Sequence, residues 1–98
     1  MQNSPRTHNF FGVLTDEGYE RGTGSTARKG LVEITLRCHP PAFDLMVRPA
    51  YGYTWIPTRV RHIDPLVTPP RDAAEIALSL GADLLRDIDK SQRVMAHD

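Results

Sequence analysis

Residues 68–96, TPPRDAAEIALSLGADLLRDIDKSQRVMA, carry the periodicity that decides the fold. Apolar side chains recur here every three or four residues, which is typical of one face of an amphipathic helix. Thr68 is the predicted N-cap and Pro69 the first helical residue, since the missing N–H of proline would be unpaired there anyway. One apolar stripe consists of Ala73, Ile76, Ala77, Leu80, Leu84 and Ile88, and a second of Ala74, Leu78, Ala82 and Leu85. We therefore predict one long C-terminal helix with an unusually wide apolar face.

The second stripe extends beyond the surface that one sheet usually covers, an arc of about 100°. Leu78 and Leu85 lie outside that arc, and we predict that they join two copies of the chain into a homo-oligomer, most simply a dimer. The alternatives are that the sheet curls around the helix or that the N-terminal segment covers them. Gly81 falls between the two stripes. Because a mid-helix glycine costs about 1 kcal/mol relative to alanine, we expect a strand or a bulky ring to approach closely there.

Short strands are predicted before the helix. Residues 31–38 alternate strictly, with Val32, Ile34, Leu36 and Cys38 on one side. Residues 43–48 and 53–63 are the next two strands, and Pro57 makes the last one an edge or bulged strand. Residues 10–15 and 19–21 are interpreted as an N-terminal hairpin, and residues 22–30 as a flexible loop.

These elements predict an α+β fold, an antiparallel sheet of four to five strands with one long C-terminal helix packed on one face. Residues 1–9 are predicted to be a flexible N-terminal segment, because they are polar and contain Pro5. Residues 10–98 are predicted to form a single domain, as the chain length allows.

The sheet face turned away from the helix is the predicted partner or nucleic-acid surface. The alternation of the strands assigns to it Arg37, Arg48, Trp55, Arg59 and Arg61. Guanidinium groups bind phosphates and carboxylates, and an aromatic ring offers a stacking plane. The alternative is an ordinary solvated face, since Glu33 and Asp44 share it and neutralise part of its charge.

Composition restricts the classes of function. The 98 residues have a net charge of zero, so no overall basic charge attracts nucleic acid or membrane. Cys38 is the single cysteine, and no apolar run has the roughly 18 residues of a membrane span. We expect a cytoplasmic protein without cofactor, metal or membrane partner. Ten of the twelve basic residues are arginine, which suits a bacterial or phage origin.

Catalytic chemistry has little support in the sequence. His62 and Asp64 are two residues apart and could share a face, but capping of the strand exit is the preferred interpretation. Cys38 is interpreted as a small core residue. No set of nucleophile, base and oxyanion donors can be assembled, so no catalytic residue is predicted and enzymatic activity is left open, with a non-catalytic role preferred.

The strands followed by Thr68, two prolines and the alanine-rich segment 72–77 resemble two small families, the antitoxins of the HicB type and the arm-binding domains of phage integrases with their AP2-like relatives. The resemblance implies a small β-rich module that oligomerises or contacts DNA with its sheet. The preferred hypothesis is a non-catalytic protein-interaction module that forms a homo-oligomer, with a second protein as a further candidate partner. A nucleic-acid-binding or regulatory protein is the alternative.

Overall fold

The computed structural model describes residues 9–51, 53 and 55–96. In chain order its elements are α1 Phe10–Asp16, β1 Glu20–Arg21, β2 Thr26–Lys29, β3 Val32–His39, β4 Ala42–Pro49, β5 Arg59–Ile63 and α2 Pro70–Ala96. Most of the predicted flexible segment, residues 1–8, lies outside the described residues. Asn9, the last residue of that segment, is the N-cap of α1, and its side-chain Oδ1 accepts a hydrogen bond of 2.6 Å from the Gly12 amide.

The five strands form one antiparallel sheet in the order β1-β2-β3-β4-β5. The helix α2 packs on β3 and β4, and α1 packs on α2. The predicted α+β arrangement is therefore confirmed, with the sheet at the upper end of the predicted strand number. We call the side of the sheet under the helices the helix face and the opposite side the open face.

The core lies between the helix face and α2. The sheet contributes Ala27, Val32, Ile34, Leu45, Val47 and Ile63, and α2 contributes Ala73, Ala74, Ala77, Leu84 and Ile88, all of them nearly inaccessible to solvent. The predicted inward sides of β3 and β4 are confirmed at these positions. The interpretation of Cys38 as a core residue is wrong, because Cys38 lies among the last three residues of β3, all of which are exposed.

Gly81 allows the close contact between α2 and the rest of the domain. A Cβ atom at this position would lie 3.1 Å from the Tyr19 hydroxyl and 3.3 Å from Cγ1 of Val32. The predicted reason for this glycine is thereby confirmed, since both a ring and a strand approach it.

The N-terminal prediction is wrong in one respect. Residues 10–16 form the helix α1 and not a strand, because Phe10 and Leu14, one helical turn apart, are both buried in the core while Asn9 caps the first turn. The segment predicted as a flexible loop, residues 22–30, contains the strand β2, which pairs with β1 and β3.

The predicted orientation of the last strand is also wrong. Ile56 and Ile63 are both buried, yet they are an odd number of positions apart in the sequence, so one regular strand cannot place both on the same face. Ile56 lies before Pro57, outside the strand, and β5 begins at Arg59. Ile63 sets the phase of β5 and places Val60, and not its neighbours Arg59 and Arg61, on the open face, where 58% of the Val60 surface is exposed.

Candidate functional site

The five residues predicted to share one surface are divided between two faces. Arg37 and Arg48 lie on the open face, opposite Asp44 and Glu33 respectively. Arg59 and Arg61 pair with Val47 and Leu45, two core residues, and so lie on the helix face of the edge strand β5. Their predicted placement beside Arg37 and Arg48 is wrong, because the phase of β5 is inverted.

Trp55, which precedes β5, and Arg59, the first residue of β5, both contact the C-terminal half of α2. The Trp55 indole N–H donates to the Ser91 hydroxyl at 2.6 Å, and Arg59 forms an ion pair with Asp87. Beside them the Gln92 side chain donates to the Tyr53 hydroxyl at 2.7 Å. Trp55 and Arg59 therefore hold the edge strand against the helix, whereas Arg61 is exposed.

The open face carries a cluster that we call the arginine brace, made of Arg28, Glu33 and Arg48. Arg28 Nη2 donates to one carboxylate oxygen of Glu33 at 2.9 Å, and Arg48 Nε donates to the other at 2.6 Å. Glu33 has only 7% of its surface exposed, although both arginine side chains are about half exposed. The three residues lie side by side on β2, β3 and β4, so the register of the sheet sets their geometry.

The charges in the brace hold one another in the ionised state. Burial alone would raise the pKa of Glu33, but the hydrogen bonds and charges of Arg28 and Arg48 outweigh it and lower that pKa below its usual range. The hydrogen bond to Glu33 in turn raises the pKa of the Arg28 guanidinium. Since arginine side chains keep their proton in proteins, the brace carries one carboxylate and two guanidinium groups, a net positive charge.

A depression of about 720 Å³ opens beside the brace. Arg28, Glu33 and Arg48 line it together with Tyr51 and the β1–β2 turn. The Tyr51 ring is 57% exposed, and the Arg28 guanidinium lies 5.8 Å from its centre. The volume falls within the range of roughly 300–1,000 Å³ of small-ligand pockets, so the depression has room for an amino-acid side chain or a similar group.

A second carboxylate cluster lies further along the same face. Asp44 has the Nδ1 atoms of His39 and His62 at 3.3 and 2.5 Å from its two oxygens. Asp64 accepts a hydrogen bond from the Leu66 amide and caps the turn after β5, which confirms the preferred capping role over the alternative of a pair with His62. In the part of the chain that the structure describes, no group of three or more His, Cys, Asp or Glu residues could hold a metal ion.

Leu78 and Leu85, the predicted self-association residues, have different surroundings. Leu78 is partly buried and packs against the core, and α1 packs on the same helix. Leu85 is 45% exposed. The sequence left three alternatives for covering the second stripe of α2. The helix α1, near the N-terminus, supplies part of the cover of α2.

The sequence interpretation placed Arg28 in the flexible loop of residues 22–30 and did not identify the brace. Glu33 and Asp44 were expected to neutralise part of the open face, and the ion pairs of Glu33 with Arg28 and Arg48 confirm this for Glu33. The missing information was the strand β2, which sets Arg28 opposite Glu33. The charge pattern of residues 28–33 could have indicated it, because opposite charges often face each other across antiparallel strands.

No helix in the described ranges is both long and apolar enough to cross a membrane. Comparisons with protein-family models, with curated proteins and with solved structures found no match to this chain.

Proposed function

We propose that this protein is a non-catalytic protein-interaction module that binds an acidic segment of a partner protein at the arginine brace. The single observation that carries the proposal is the pair of guanidinium groups that Glu33 holds side by side at the edge of a depression on the open face. Two arginines fixed in this way are preorganised, so a ligand does not have to order them on binding.

The brace retains donors for a ligand. Each guanidinium has five N–H groups, and the contacts with Glu33 involve Nη2 of Arg28 and Nε of Arg48. The other N–H groups of these half-exposed side chains supply the fork geometry that matches a carboxylate. The excess of one positive charge in the cluster favours an anionic group over a neutral one.

Tyr51 adds an apolar surface next to these donors. Its exposed ring could pack against the aliphatic or aromatic part of a neighbouring side chain of the partner. Tyrosine and arginine are enriched among the residues that dominate protein–protein binding energies. A segment with an aspartate or glutamate next to an apolar residue therefore fits the depression best.

The charge of the open face supports a protein ligand more than nucleic acid. This face carries Arg28, Arg37 and Arg48, but also Glu20, Glu33 and Asp44. Nucleic-acid binding depends on a basic surface that follows several phosphates. The two further arginines that would have extended such a surface, Arg59 and Arg61, lie on the helix face.

Binding of fluorescent peptides tests the proposal. We expect a peptide containing Asp or Glu beside an apolar residue to bind at low salt, and its Asn or Gln counterpart to bind at least about tenfold more weakly, a loss of about 1.4 kcal/mol. Arg28→Gln with Arg48→Gln should weaken binding by a similar factor. Arg61→Gln with Arg71→Gln removes the same charge from other surfaces and should leave the affinity unchanged.

Three results would contradict the proposal: no difference between the acidic and the amide peptides, equal loss of affinity in the control variant, or no binding of any peptide. Titration with single- and double-stranded oligonucleotides under the same conditions tests the alternative function. Binding that exceeds that of the peptides, and that falls steeply with salt, would favour a nucleic-acid-binding protein instead.

Self-association through Leu78 and Leu85 stays a prediction. The contacts of Leu78 with the core support it less than the sequence pattern did, because a side chain packed inside its own domain is not available to a second copy. The cytoplasm is the proposed location, in keeping with a single exposed cysteine thiol.

A further inference from the structure

The turn between β5 and α2 exposes two aliphatic side chains to solvent. Leu66 is 93% exposed and Val67 is 77% exposed, the two largest values among the exposed large apolar residues of the described chain. The turn is nevertheless well fixed, because Asp64 accepts three hydrogen bonds. Its side chain binds the Leu66 amide at 2.9 Å, and its carbonyl binds the amides of Val67 and Thr68 at 3.0 and 2.8 Å.

Prolines limit the turn further. Pro65 precedes the two aliphatic residues and Pro69 follows them, and each proline has a fixed φ. Two exposed aliphatic side chains on a fixed turn bury apolar surface on binding at little cost in conformational entropy. We call Leu66 and Val67 the aliphatic tip.

An apolar groove of about 220 Å³ lies next to the tip on the same side of the molecule. Its walls come from α1, the ends of β3, β4 and β5, and the start of α2, and they include Phe10, Leu36, Phe43, Ile63, Pro65 and Ala73. An apolar cavity of about 150 Å³ is large enough for a benzene molecule. The groove therefore has room for a leucine or valine side chain.

We infer that two copies of this chain associate by placing the aliphatic tip of each into the apolar groove of the other. The tip and the groove share Pro65 and Thr68 at their border, so they are immediate neighbours on one surface. A twofold axis passing close to that border brings each tip to the partner's groove at once. Such a symmetric contact closes after two copies, whereas a tip and a groove on distant surfaces would continue into a chain of copies.

Other occupants from the same chain fit less well. Asn9 lines the groove, but the sequence that precedes it, MQNSPRTH, offers only Met1 and Pro5 as apolar residues. The tip cannot fill its own groove while Asp64 holds the turn in the conformation that exposes it. A second copy supplies two aliphatic side chains in a fixed turn, which suits the apolar walls.

The expected dimer is weak. Each copy contributes only two tip side chains and one small groove, whereas a standard interface uses about 20–30 residues a side, so association should appear only as the concentration rises toward about the millimolar range. This interface is separate from the arginine brace, which lies on the opposite face of the sheet. Failure of either proposal therefore leaves the other unaffected.

Sedimentation velocity over a concentration series, together with amide NMR spectra of the same samples, tests the inference on the full-length chain. We expect the average mass to rise toward that of a dimer, and the amides of Phe43, Ile63 and Ala73 to shift with concentration. Leu66→Asp with Val67→Asp should abolish both effects. Because both side chains point into solvent, the variant should keep the melting temperature of the native protein.

Leu85→Asp is the control, because it places one negative charge at the exposed leucine of α2, away from the tip. Association through the tip should be unaffected in this variant, whereas the self-association predicted through Leu78 and Leu85 should be lost in it. A native protein that stays monomeric throughout the series would overturn the inference. So would association that persists in the tip variant, or that disappears only in the Leu85 variant, since the contact would then lie elsewhere.

Discussion

Glu33 is a charged residue that the sheet buries on its open face. Strand alternation correctly predicts the side on which it lies, but not its burial, because the two arginines that cover it come from strands on both sides. An isolated buried carboxylate would be strongly destabilising. Arg28 and Arg48 satisfy both of its oxygens, so the charge is retained and the brace is fixed.

The lowered pKa of Glu33 predicts a specific loss of stability in acid. A carboxyl group whose pKa is lower in the folded than in the unfolded state stabilises the fold above its unfolded pKa of about 4.3. This contribution disappears as the pH falls through the folded pKa. Glu33→Gln should lose about 1–3 kcal/mol of unfolding free energy at neutral pH, and its stability should depend less on pH between neutrality and the acidic range.

Urea denaturation of both proteins at a series of acidic to neutral pH values measures this difference. The two unfolding free energies should approach each other as the pH falls. A constant difference across the series would mean that the charge of Glu33 does not stabilise the fold, and that its contribution comes from packing alone.

At the scale of elements, the helix α2 is fitted to the sheet around Gly81. The helix begins at Pro70, and Ala73 donates the first hydrogen bond to the Pro69 carbonyl at 3.0 Å, one residue later than the predicted cap. Helix ends commonly shift by one or two residues. The prediction for Gly81 is more informative, because a glycine inside a helix lowers helix propensity and therefore indicates a close neighbour.

Gly81→Ala tests that close contact in two backgrounds. In the native protein the new methyl group meets the Tyr19 hydroxyl and Val32, so the gain of about 1 kcal/mol in helix propensity should be largely cancelled. In Tyr19→Phe, which removes the nearer of the two atoms, the same substitution should stabilise by more. Thermal unfolding of the four proteins gives the coupling between the sites, and the absence of coupling would contradict this account of Gly81.

Elements with a strict pattern were predictable, and elements that depend on distant partners were not. The strands β3 and β4 alternate over their whole length, and α2 repeats over seven turns, so their own residues determine them. The segment 10–16 is a short apolar run that suits either a strand or a helix, and packing on α2 decides between them. The phase of β5 follows Ile63 and not Ile56, because only Ile63 lies in the part of the segment that pairs with β4.

The candidate site was predictable only in part for the same reason. The type of surface, a sheet face with arginines, follows from alternation at Arg37 and Arg48. The brace requires β2, which pairs through residues that sequence reasoning treated as a loop. Arg59 and Trp55 were assigned to the wrong surroundings because their actual partners, Asp87 and Ser91, are about 30 residues or more away in the chain.

At the scale of the whole molecule, acidic and basic groups balance. The net charge is zero, and the isoelectric point calculated from the sequence is about 6.9. Zero net charge removes the long-range repulsion between copies. Weak contacts such as the one proposed for the aliphatic tip should therefore be strongest near neutral pH.

Static light scattering as a function of pH measures this effect. The second virial coefficient should be lowest near pH 7 and should rise on both sides of it, and added salt should reduce the variation because it screens the charges. A monotonic change through neutrality would show that an uneven charge distribution, and not the net charge, governs the interaction between copies.

The strand β5 has a consequence for how far the sheet can extend. It is one edge strand of the sheet, and Pro57 lies two residues before it. Arg59 and Arg61 lie on its helix face, and His62 lies on its open face. The opposite margin, β1, has only two residues. Lysine, arginine and proline at such borders, and very short border strands, oppose the addition of foreign strands. The domain is accordingly protected at both sides against polymerising into fibrils, even though its sheet is not closed into a barrel.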